Sequence, residues 1–192
     1  VSLLIDIQNS IKVQESRGYE QWAKIHNLKQ AAKTLNFLTE HKIEQYADLT
    51  AKISEIAAAS EQAADSLKAA EKRLADMAVL IKNVSTYQKT KPAYDAYRKA
   101  KNKDKYRAEH ERAIILHEAA AKALQTAGIK KLPNLTLLQA EYEQLQAQKE
   151  ALYADYEKLK KQVKEYDVIK RNIDSILRQD KEPKREKGTE RG

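Results

Sequence analysis

His110 and His117 are seven residues apart in a stretch rich in helix formers. That spacing puts them on one helix face but two turns, roughly 10 Å, apart. A helix that offers two histidines to one metal ion spaces them by three or four residues. The pair therefore implies no metal site and reads as two solvated or half-buried imidazoles. His26 and His41 have no partner pattern. The chain has no Cys, which excludes a disulfide and a thiolate zinc site. It carries no glycine-rich phosphate loop, no nucleophile elbow and no His–Glu metalloprotease motif. Its carboxylates are interleaved with Lys along helix faces, the pattern of a solvated surface. The residues thus point to no catalytic group and no cofactor.

Tyrosine offers more, with ten in the chain. Tyr46, Tyr142, Tyr156 and Tyr166 recur with helical apolar residues and read as packing groups. Tyr87, Tyr94, Tyr97 and Tyr106 fall instead in "KNVSTYQKTKPAYDAYRKAKNKDKYR", residues 82–107. The same segment holds Lys82, Lys89, Lys91, Arg98, Lys99, Lys101, Lys103, Lys105 and Arg107, opposed only by Asp95 and Asp104. Nine cations against two carboxylates leave +7, nearly the whole net charge of +8. Basic residues interleaved with aromatics can neutralise phosphates and stack bases. Lys82, Lys89, Lys91, Tyr94, Tyr97, Arg98, Lys99, Lys101, Lys103, Lys105 and Arg107 are therefore the candidate nucleic-acid-binding residues. The pattern equally suits a solvated, self-repelling helix end whose tyrosines pack locally.

Helices must position these residues. With 33% charged residues, 4 Gly and 3 Pro, the chain has many helix formers and few breakers, which predicts an all-α fold. Ser2 can cap a first amphipathic segment carrying Leu4, Ile7 and Ile11. After Gly18 come a second, with Tyr19, Trp22 and Ile25, and a third, with Leu28, Leu35 and Leu38, separated near His26–Asn27. From Tyr46 to Gln88 a heptad pattern sets in, with Leu49, Ile56, Leu67, Leu74 and Val84 among its positions. From Leu138 to Leu177 it returns, through Leu145, Leu152, Leu159, Tyr166 and Ile173. A sustained 3.5-residue period is a coiled-coil signal. Two such runs of similar length, roughly 65 Å each as helix, predict an antiparallel hairpin, with Tyr46 near Leu177 and Gln88 near Thr136.

The expected organisation is a small helical anchor over 1–43, a first coiled-coil arm over 44–90 and a helical tip over 91–133. A second arm over 134–178 and a disordered charged tail over 179–192 complete it. In the tip, Pro92 is expected in the first turn of a new helix. A turn is expected near Asn102, then a helix from about Asp104 to Ala127 stopped by Gly128. Asn134 is expected to cap the second arm. No apolar run approaches the roughly 18 residues a membrane span needs, and the first residues lack the pattern of a signal peptide. A cytoplasmic protein without membrane insertion is the expectation. The chain opens on Val and ends in charge, which reads as a piece of a longer protein.

Five segments taken in order carry a family resemblance: "VSLLIDIQNSI", "GYEQWAKIHNLKQAAKTLNFLTEH", "AAEKRLADMAVLIKNVSTYQKTKPAYDAYRKA", "AEHE" and "GIKKLPNLTLLQAEYEQL". Together they resemble the C-terminal helical region of relaxases, the mobilisation nucleases of conjugative transposons and mobilisable elements in Gram-positive gut bacteria. The resemblance runs from Val1 to about Leu177. In that family the region follows a nuclease domain that nicks one DNA strand through a tyrosine and a histidine-bound metal. No position here matches those residues, so nothing catalytic carries over. The resemblance implies a non-catalytic accessory region that holds transfer-origin DNA, single-stranded or duplex, or docks the relaxase to relaxosome or coupling protein. A purely structural coiled coil gripping a protein partner is the alternative. On this reading Tyr19, Trp22, Leu28, Leu35, Phe37 and Leu38 form the small bundle that seats the hairpin's base.

Overall fold

The computed structural model of the chain describes the backbone of residues 2–16 and 21–179 and the side chains of 2–14 and 28–178. These residues are all-α, with no strand among them. Six helices follow one another: α1 (Leu3–Ser16), α2 (Gln21–Glu40), α3 (Tyr46–Lys99), α4 (Lys103–Glu109), α5 (Glu111–Thr126) and α6 (Leu135–Gln179). They form two compact units, one of residues 1–62 with 156–192 and one of residues 63–155. The charged tail, Gly18 and Tyr19 lie outside the described residues, as does the side chain of Trp22.

In the first unit, α1 and α2 pack with the start of α3 and the end of α6. Leu3, Ile7, Phe37, Leu38, Leu49 and Ile173 belong to one buried cluster. The start of α3 runs antiparallel to the end of α6, with the Tyr46 hydroxyl donating to the Asp174 carboxylate at 2.7 Å. Phe37 meets Tyr166 edge to face at 4.9 Å, an arrangement that suits the ring quadrupoles. Ser10 and Gln14, both buried, donate to the Ile176 carbonyl at 2.9 and 3.1 Å. That carbonyl belongs to the last turn of α6, so the two side chains tie α1 to the end of that helix. Two expectations change in this unit. The second and third segments are one continuous helix through His26 and Asn27, because neither residue removes a backbone donor. Leu28 is exposed, whereas Phe37 and Leu38 are buried as expected.

The ends of these elements follow local chemistry. The N–H of Ile5 donates to Ser2 Oγ at 3.4 Å, so Ser2 caps α1. The Gln45 N–H donates to the Asp48 carboxylate at 3.1 Å, the reciprocal half of a capping box on α3. The α2 helix closes with Ile43 N–H on the Leu38 carbonyl and Lys42 N–H on that of Thr39, which is a Schellman motif. Lys42 supplies its left-handed residue, at φ 53.

In the second unit α3, α5 and α6 surround Val84, Leu124 and Leu138, with Leu80, Ile81, Tyr87, Ile129, Leu132 and Leu135 against them. The α5 helix buries Ile114, His117, Ala120 and Leu124, one stripe at helical spacing. The heptad positions hold in both units. Leu49, Ile56, Leu67, Leu74, Val84, Leu138, Tyr166 and Ile173 are buried, and the positions between them are at least half-buried. Only the first run's ends, Tyr46 and Gln88, are exposed.

The tip differs in two ways from expectation. Pro92 lies inside α3, not in the first turn of a new helix. The helix from Asp104 is divided at His110 into α4 and α5. The expected turn and caps at Asn102, Gly128 and Asn134 are present. Asn102 Oδ1 accepts from the Lys105 N–H at 3.1 Å, and Asn134 Oδ1 from that of Leu137 at 3.2 Å. Gly128, at φ 76, closes α5 in a second Schellman motif, with Ile129 N–H on the Leu124 carbonyl.

Candidate nucleic-acid interface

The end of α3 carries Tyr87, Thr90 and Tyr94 at spacings of three and four, so their side chains line one face. The α5 helix inserts His117 among them. Its ring lies 4.4 Å from Tyr87 and 4.3 Å from Tyr94, the latter stacked at 20°. The Thr90 hydroxyl donates to the Thr86 carbonyl at 2.7 Å, which leaves its oxygen to accept from His117 Nδ1 at 2.9 Å. This assigns the hydrogen to Nδ1. His117 is buried, not solvated or half-buried. Burial pushes its pKa down and holds it neutral, chiefly by desolvation of the cation.

A second group of rings follows. Tyr97 lies 6.5 Å from Tyr106, and Tyr106 stacks on His110 at 4.1 Å. His110 is exposed and joins α4 to α5, its own N–H donating to the Tyr106 carbonyl. The Arg107 guanidinium stands 5.7 Å from the centre of the Tyr97 ring. It also donates to both carboxylate oxygens of Glu118, at 2.9 and 3.4 Å. These bonds raise the Arg107 pKa further, Glu118 first, so the group stays charged at every working pH.

The structure therefore sorts the eleven candidate residues into two sets. Tyr94 and Tyr97 are half-buried and engaged with other rings. Lys91 pairs with Asp95 at 2.9 Å, and Arg107 with Glu118. Lys82, Lys89, Arg98, Lys99, Lys101, Lys103 and Lys105 are exposed and form no ion pair with a carboxylate among the described residues, although Lys99 acts on Asp95 from a longer distance. All seven lie in the second unit. Lys82 and Lys89 are seven apart on α3, hence on one stripe, while Lys99, Lys101 and Lys103 cross the turn into α4. The sequence reading missed His117 and Glu118, which organise this end. The α5 stripe of Ile114, Ala120 and Leu124 was the signal that His117 faces inward.

Among the described residues no three His, Asp or Glu side chains are grouped to hold a metal ion, and no helix is long and apolar enough to cross a membrane. The chain matches no protein-family model, no curated protein and no solved structure. The relaxase reading rests on the quoted segments alone.

Proposed function

We propose that this chain is a non-catalytic helical accessory region of a conjugative relaxase, and that its basic end holds transfer-origin DNA. The supporting observation is the set of seven exposed cations without acidic partners in the second unit. Unpaired surface cations repel one another, and a polyanion that displaces its counterions onto them removes that repulsion. The region acts in the cytoplasm, where it orients the DNA for the nuclease or docks the relaxase to its transfer machinery. The test is a salt-titrated binding assay of the chain with single- and double-stranded transfer-origin DNA. Binding that weakens steeply and log-linearly with salt is expected. No binding at low salt would replace this reading with that of a coiled-coil grip on a protein.

A further inference from the structure

We infer that this surface, on the reading that it binds DNA, recognises the phosphate backbone and leaves the bases untouched. Aromatic residues mixed with Lys and Arg are the usual means of holding a single strand, because rings stack bases while cations follow the phosphates. Here the rings already have partners. Tyr87 and Tyr94 hold His117 between them. Tyr106 lies on His110, and Tyr97 takes the Arg107 guanidinium. A base that entered either group would have to displace a protein contact of similar strength, so its net gain is small.

The cations divide the same way. Lys91 and Arg107, the latter lying over the Tyr97 ring, are neutralised by Asp95 and Glu118. Those left without acidic partners, among them Lys89, Lys99, Lys101 and Lys103, are exposed. Charge is thus presented to a ligand where the rings are withheld from it. A surface of this kind takes any strand that carries phosphates at nucleic-acid spacing. It discriminates neither between bases nor strongly between single strand and duplex. Sequence choice at the transfer origin then belongs elsewhere.

The test compares the full chain's affinity for an oligothymidylate and for a fully abasic strand of the same phosphate count, across a salt series. Both are expected to bind with dissociation constants within about fivefold of each other, the smallest difference one stacked base would produce. Their salt slopes should match and be no steeper than about −5, the value for seven neutralised phosphates on a single strand. If the abasic strand binds more than about fivefold weaker, the bases are stacked and the inference is overturned, while the DNA-holding function stands. If neither strand binds at low salt, the DNA-holding function fails and this inference fails with it.

Discussion

At His117 the ring is held by three groups of α3, two aromatic faces and the Thr90 oxygen, with Lys91, Asp95 and Glu118 acting on it from nearby. Its folded pKa lies below the ordinary value near 6.5. The neutral form is favoured in the fold, so its stabilisation is fully present above that value. As pH falls from there through the folded pKa, the unfolded chain takes up the proton first and stability is lost. Melting temperature is expected to drop as pH falls below about 6.5, before the bulk of the carboxylates titrate. His117→Phe keeps a ring between the tyrosines and should remove that part of the slope. An unchanged slope in the variant would place the titration elsewhere. The two Schellman motifs allow a paired test at the same scale. Each needs a left-handed residue, Lys42 in one and Gly128 in the other. A Cβ on Gly128 meets nothing within 4 Å, so Gly128→Ala should cost about 1 kcal/mol from backbone conformation alone. Lys42→Gly should gain about 0.5–1 kcal/mol by relieving the same conformation. Urea unfolding of both variants checks this, and shifts of the same sign would contradict it. Gly128 was legible in the sequence because it follows a helical run. Lys42 was not, because no local pattern marks a lysine for a positive φ.

Helices were the most legible level. The 3.5-residue period places a side chain on the seam at every step of three or four, and the fold buries those positions in each unit. Pro92 was misread because a proline in a helix interior removes a hydrogen bond and crowds the preceding turn. The helix continues because Thr90 and Tyr94, on either side of Pro92, are fixed against His117. That partner comes from α5 and is invisible to a local reading. The division at His110 was missed for a related reason, since its ring leaves the α5 pattern to lie on Tyr106. The seam itself can be tested. Leu67 is buried, Leu159 half-buried and Gln88 exposed, all at heptad positions. Leu67→Asp places an unpaired charge in an apolar seam and should cost about 3 kcal/mol or more. Leu159→Asp should cost less, and Gln88→Asp less than about 0.5 kcal/mol, as surface changes do. Chemical denaturation would give the order, and equal losses at all three would mean the seam is misassigned.

Over the whole molecule, a net charge of +8 draws any polyanion, so affinity for DNA alone does not locate a site. The concentration of charge in residues 82–107 was legible by counting along the chain. Which cations remain available was not fully so: Lys91 and Asp95 stand at a helical spacing of four, but Glu118 removes Arg107 through a contact between α4 and α5 that only the folded chain makes. Position must therefore be separated from sum. Changing Arg98, Lys99, Lys101 and Lys103 to Gln removes four exposed cations that have no acidic partner. Changing Lys149, Lys158, Lys161 and Lys164 to Gln removes the same formal charge from α6. If phosphates are neutralised at the basic end, the first set should flatten the salt slope for a single strand by about 3, and the second should leave it nearly unchanged. The first set should also weaken binding uniformly across DNA sequences, since a phosphate contact carries no base information. Circular dichroism on both variants checks that the helices persist, as expected for changes to Gln at seven exposed positions and the half-buried Lys149. Equal flattening by the two sets would mean that the molecule attracts DNA through its diffuse field and has no localised surface for it.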